Sequence, residues 1–588
     1  MIKFLKQVLA AVIGVFIGGI LLFFFFLFIA GILISSLSHE EKKEVSPNSI
    51  LMIDPSKPID DRTPRDPFQR IDLRTLTIKK QPGLNDLLRC IRQAQKDSRI
   101  KGIYLKLPTV NAGIAVTDEI RRALIDFKKS GKFVVAYADN YTQKSYFLAT
   151  AADKIYMNPE GNFLFWGLSS EVFFLKGMLD KLGVEPEVIR HGKYKSATEI
   201  FEEKKMSPEN REQINAYLSS IWNYLIEQIA ISRHISKDSL NAFASLLAVK
   251  TAPEALKYRL IDSALYKDEL IHQLSLLSNH SGEKLSLVTP EDYLTTLPDE
   301  QQATKNCIAV IYAGGSITMA QDDEEDNIVA EKLAAVLREV RKDSSVNAVV
   351  LRINSPGGSA LASEIIWREV QLTSRVKPVV ASMGNLAASG GYYILTHATT
   401  IITNPVSLTG SIGVFGVLFN TAPFLEQKLG ITTDKVNTHP HADMFSMTRK
   451  LTPEEKQLMQ KEIDRVYHTF VSHVSEGRKL PYDRVEKIAG GRVWTGMDAC
   501  RIGLADSTGG LQKAIETAAQ LAGLSQYTVK ELPEASNKWY FLLNDLSGRL
   551  TSWFSSSFRE QSLLMRYRRA LEEYQGIQMR LLTLPELN

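Results

Sequence analysis

Apolar and polar positions follow two alternating patterns along most of this chain. Short apolar runs of strand length, such as "ILMID" (50–54) and "CIAVIYAGGSI" (307–317), are followed by stretches with apolar residues at helical spacing, such as "LNDLLRCIRQAQ" (84–95) and "VAEKLAAVLREVR" (329–341). Each group continues as strand, turn, helix, strand and helix. Such alternation predicts an α/β fold with mostly parallel sheets.

The pattern also repeats itself. "KDSRIKGIYLKL" (96–107) falls on "KDSSVNAVVLRI" (342–353) when 246 is added, with no gap. Four more pairs follow in the same order. The helical stretches quoted above match, and residues 132–161 match 377–407. "MSPENREQI" matches "LTPEEKQLM", and "TAPEALKYRLID" matches "TGMDACRIGLAD". A recurrence of this length means two copies of one folding unit, here 49–290 and 305–530. The last stretch, 531–588, has no counterpart. Its mixture of aromatics and arginine suits a packed terminal helix, a membrane contact or a neighbouring subunit.

The N-terminus breaks the pattern. No charged residue occurs from Val8 to Ile34, a run of 27 residues, and a bilayer-crossing helix needs roughly 20. Lys3 and Lys6 precede it, so the short N-terminus (1–7) is expected in the cytoplasm and the bulk of the chain outside. The run is too long for the apolar part of a cleaved leader, and "ILISSLSHE" is a poor cleavage site. Residues 8–34 therefore read as an uncleaved anchor, and 35–48 as a polar stalk.

Composition narrows the chemistry. A net charge of +4 over 588 residues offers no basic surface for nucleic acid. The three cysteines, Cys90, Cys307 and Cys500, are too scattered for a disulfide framework or a zinc site. His439 and His441 share a proline-containing loop but lack a metal-binding spacing. Neither metal nor cofactor is called for.

The two copies differ where chemistry could lie. Ser411, in "NPVSLTGSIGVFG" (404–416), corresponds to Phe165 in the first copy, although both copies keep the Asn-Pro and a later glycine. "SPGG" (355–358) faces "PTVNAG" in the first copy, where the paired glycine turn is lost, and "AASGG" (387–391) faces "TQKSY". Conversely "GKYKSA" (192–197) places Lys195 where the second copy has Pro440 or His441. One copy has a serine without a lysine, the other a lysine without a serine. Packed face to face, they complete one Ser–Lys pair. A serine hydroxyl needs an adjacent base. Lysine serves only when burial lowers its pKa from roughly 10.4. Ile412, Val414, Phe415, Tyr194, Ile200 and Phe201 can supply an apolar surround; a carboxylate from Glu199 would spoil it. Gly357 and Gly358, between a strand and a helix start, can aim backbone N–H groups at an oxyanion. Lys193 is the rival base and Ser389 the rival nucleophile. Ser196, Thr432 and Thr433 are possible hydrogen-bond partners of the lysine.

Together "GKYKSA", "INSPGGS", "GNLAASGGYY", "NPVSLTGSIGVFG", "VWTGMDA" and the anchor resemble the signal peptide peptidase A (protease IV) family in its long, two-repeat bacterial form. The resemblance covers nearly all of the chain beyond the anchor. It implies a ClpP/crotonase-like α/β fold in each repeat and a serine endopeptidase with Ser411 as nucleophile and Lys195 as general base. It also implies a homotetramer on the outer face of the bacterial inner membrane. The substrates it implies are released signal peptides, cut within their apolar segments. An acyl-thioester enzyme of crotonase type is the alternative, but an exterior location would deprive it of cofactor. A catalytically inert scaffold is another, at odds with retention of both Ser411 and Lys195.

Overall fold

The computed structural model describes residues 45–63, 82–279, 285–297, 306–320, 327–533 and 577–581, with short pieces within 14–25 and 71–78. The two copies fold alike. Helix Leu84–Lys96 is matched by Ala330–Lys342, and strands Ile100–Lys106, Phe133–Ala138 and Lys154–Met157 by Val346–Ser355, Val379–Ala388 and Thr400–Thr403. Each unit contains a 26-residue helix, Pro208–Arg233 in the first and Pro453–Arg478 in the second. Each begins on a Ser or Thr cap followed by proline, a combination that starts a helix sharply. The first sheet is six-stranded, and its neighbour pairs are parallel. The second keeps the same strand order and extends it through Leu408–Gly410 to Val493–Thr495, an antiparallel edge. The strands, apolar on both faces, lie in the cores because helices cover them.

A third sheet joins the copies. Strand Glu185–His191 of the first pairs antiparallel with Val414–Asn420 of the second, from Glu185 opposite Asn420 to His191 opposite Val414. Polar contacts reinforce the junction. Buried Arg352 donates to Asp61 at 2.8 Å and to Glu119 at 2.7 Å. Glu119 in turn accepts the N–H of Leu511, the first residue of helix Leu511–Leu521. The Asn385 side chain accepts from Ala115 N–H at the start of helix Ile114–Lys128, and Asn404 donates to Asp118.

Removing one member of such a buried ionic group leaves the opposite charge buried and uncompensated. Arg352→Met is expected to destabilise the chain by about 3–5 kcal/mol. Scanning calorimetry of the purified full chain reads this as a lower melting temperature; an unchanged one would mean that Asp61 and Glu119 find other partners.

The anchor expected at 8–34 lies mostly outside the described residues. Residue 14, residues 17–19 and residues 21–25 are helical, and Ile17, Leu21, Leu22, Phe23, Phe24 and Phe25 are exposed. Among the described residues no helix is long and apolar enough to cross a membrane. The stalk, apart from residues 45–48, and most of 531–588 also lie outside the described residues.

Candidate active site

The antiparallel ladder between the copies explains how residues 216 apart in sequence come together. It ends at the His191–Val414 pair. Ser411 lies three residues before Val414 and Lys195 four after His191, so both segments leave the sheet at the same end. Lys195 Nζ is 3.0 Å from Ser411 Oγ, 3.1 Å from the Ser411 carbonyl oxygen and 2.7 Å from Ser389 Oγ. All three residues are buried.

The loop "AGGR" (489–492) holds the pair. Tyr194 N–H donates to the Gly490 carbonyl, Gly491 N–H to that of Ile412, and Ser411 N–H to that of Arg492. Gly490 and Gly491 have φ of 63° and 85°. A side chain on Gly491 would run into the backbone of Lys195, so the second glycine is required by close approach as well as by conformation. Ser411 itself has φ of 50° and Ser389 has φ of 55° with ψ of −118°. Non-glycine residues adopt such values at a cost of order 1–3 kcal/mol, and they persist where the surroundings over-determine them. Here the strain aims two hydroxyls at one amine.

The electrostatics suit a neutral amine. Burial holds Lys195 well below the ordinary lysine range. Its side chain runs beside Gly413, and its amine lies 6.0 Å from the ring centre of buried Phe415. Glu199 is kept away from it: its carboxylate accepts from Ser207 and Asn210 at the start of the long helix. Lys193 is exposed over the ring of Tyr194, 4.9 Å from its centre. Ser196 accepts from Gln213, while Thr432 and Thr433 are exposed. Of the sequence's rivals, only Ser389 reaches the lysine.

Gly357 and Gly358 have φ of 98° and 157°, and the helix Ala360–Ser374 starts two residues later. Gly357 N–H donates to Ser355 Oγ at 3.1 Å. In the first copy the place of Ser411 is filled by Phe165, buried against Tyr146 and Trp222. That copy has core where the second has a site.

Sequence reasoning missed two features here: the "AGGR" loop and Ser389 as a partner of Lys195. The first was detectable. Carried back by 244, Gly490 and Gly491 fall on Leu246 and Leu247, the same loss of a glycine pair that singled out "SPGG". Leu247 has a positive φ of 50°, the same sign as Gly491.

A family model described as peptidase family S49 matches residues 126–281 and 371–525, once in each copy. Protease 4 of Haemophilus influenzae is 39% identical over 467 residues, covering 77% of this chain and 75% of its own. Protease 4 of Salmonella typhi is 38% identical over 461 residues, covering 76% and 73%. A chloroplastic serine protease SPPA of Arabidopsis thaliana is 35% identical over 465 residues, covering 78% and 68%. Among solved structures a ClpP1 mutant from Listeria monocytogenes aligns at 15% identity with a TM-score of 0.24, covering 35% of this chain and 94% of its own, too slight a likeness to bear on the fold.

Proposed function

Because the chain belongs to peptidase family S49 and is a serine protease, we propose that it is a Ser–Lys endopeptidase whose single site is assembled from both repeats. The observation that carries this reading is the buried contact between Lys195 and Ser411 across the two copies. A neutral amine has two N–H donors and one lone pair. Facing Ser389 Oγ, the Ser411 carbonyl and Ser411 Oγ, it donates to the first two and accepts the Ser411 proton. The freed alkoxide attacks the peptide carbonyl. Gly357 N–H, passing from Ser355 Oγ to the oxyanion, and Gly358 N–H stabilise the tetrahedral intermediate, aided by the helix dipole behind them. Lys195 hands its proton to the leaving amine and then takes one from the water that hydrolyses the acyl-enzyme.

Each repeat, in this reading, has a ClpP/crotonase-like fold. The substrates are signal peptides already released from their precursors, cut within their apolar segments. Residues 8–34 cross the bacterial inner membrane once and keep the site on its outer side, where such peptides partition into lipid. Four chains assemble as a homotetramer, each carrying its own dyad. Support comes from the uncharged run, from the names of the relatives, and from a putative signal peptide peptidase SppA of Enterococcus faecium, 30% identical over 268 residues.

The test is cleavage of a synthetic signal peptide by the detergent-solubilised full chain, read by mass spectrometry. Cuts confined to the apolar segment are expected; an intact peptide, or cuts only at its charged ends, would refute the substrate assignment. Mixed oligomers of Lys195→Ala and Ser411→Ala chains are expected to stay inactive. Recovered hydrolysis would mean that the dyad forms between chains.

A further inference from the structure

One element in the site comes from neither repeat. Strand Ile577–Arg580, from the far end of the chain, lies between the Gly357–Ser359 strand and the Val414–Asn420 strand and is antiparallel to both. Arg580 is opposite Gly357, Met579 opposite Gly358 and Gln578 opposite Ser359. On the other side Gln578 is opposite Phe415. Leu581 N–H donates to the Pro356 carbonyl at 2.7 Å, and Arg580 donates to Ser316 Oγ at 2.9 Å.

The slot it fills has the features an extended peptide needs. One wall is the strand that follows the nucleophile, and the other is the glycine turn assigned to the oxyanion. Adding a strand between two open edges is a standard way to bind peptide backbone, with alternate side chains entering pockets. Met579 is fully buried, in the same apolar cluster as Ile412, Val414 and Tyr392. Its carbonyl oxygen occupies the space where a side chain on Gly357 would stand, and it also borders Gly390, the residue after Ser389. The glycine loop is therefore shaped around the backbone of this strand.

We propose that residues 577–580 are a tethered occupant of the substrate slot, bound as a substrate strand would be, and that free peptide must displace them. The ligand class follows from the occupant: an extended peptide with a long, unbranched apolar side chain in the Met579 pocket. The proposal rests on the peptidase reading for the identity of the slot. A tethered occupant reduces apparent affinity by the fraction of time the slot is free, so occupancy of about nine-tenths gives about a tenfold effect.

The test compares the full chain with one ending at Gly576, and with a full-length Met579→Asp variant that should expel the strand without deleting it. A fluorescent peptide of residues 575–583 is titrated by anisotropy, and hydrolysis of an apolar peptide is followed in parallel. The peptide is expected to bind the shortened and Met579→Asp chains at least about tenfold more tightly than the full chain. KM for the apolar substrate should fall by a similar factor with kcat little changed. Equal binding to all three chains, or none to any, overturns the proposal. The binding readout needs no catalysis, which keeps the two readings separable. Peptide bound only by the altered chains, with no hydrolysis by any, would uphold the tethered strand and reject the peptidase reading. Equal hydrolysis by all three, with no difference in binding, would do the reverse.

Discussion

Ser411→Ala is expected to abolish hydrolysis of apolar peptides, lowering kcat by on the order of 10⁵ or more, and to abolish labelling by a serine-reactive phosphonate. The size of the effect follows from its position. Ser411 Oγ lies 3.0 Å from the Lys195 amine, while its backbone, in the left-handed region, donates to the Arg492 carbonyl. Ser389 supplies the decisive control, because its hydroxyl is 2.7 Å from the same amine. Ser389→Ala is expected to keep the phosphonate adduct and to lower kcat by on the order of tenfold, as a lysine loses one of its positioning contacts. An adduct on Ser389 that survives Ser411→Ala would exchange the two roles.

Lys195→Met should separate catalysis from stability. Loss of the proposed general base is expected to lower kcat by on the order of 10²–10⁴. The fold, however, should hold or gain. In the native chain burial lowers the lysine's pKa, so between that value and the ordinary one the unfolded state binds more protons than the folded state. The resulting penalty on stability is full below the folded pKa. It fades as pH rises toward roughly 10.4. Methionine, similar in length and apolar, carries no such penalty. Melting curves of the two proteins should differ most below the folded pKa of Lys195 and converge at alkaline pH. For the same reason kcat/KM of the unsubstituted enzyme should rise with pH through a midpoint below roughly 10.4. A midpoint at or above that value would mean a solvated amine, contrary to its burial.

The candidate site was legible before the structure to the extent that one copy could be read against the other. Ser411 opposite Phe165, and "SPGG" opposite residues without paired glycines, are differences that a shared fold makes meaningful. Lys195 stood out because the second copy lacks it. Ser389 was visible as a serine, but not as the lysine's neighbour. Its contact arises from a backbone bend after strand Val379–Ala388 that no local pattern encodes. The ladder from Glu185 to His191 was equally silent, because its pairing partner lies more than 200 residues away.

Sequence by itself determined the α/β class, the doubling of the unit and the residue types able to carry the chemistry. These follow from local periodicity, from self-comparison and from the reactivity of side chains. Tertiary structure alone decided that the lysine's amine is buried beside two hydroxyls, that a distant glycine loop clamps both partners, and that residues 577–580 pair as a strand between Gly357–Ser359 and Val414–Asn420. Burial and register depend on which surfaces meet, and that is set by the packing of whole units rather than by any one stretch of chain.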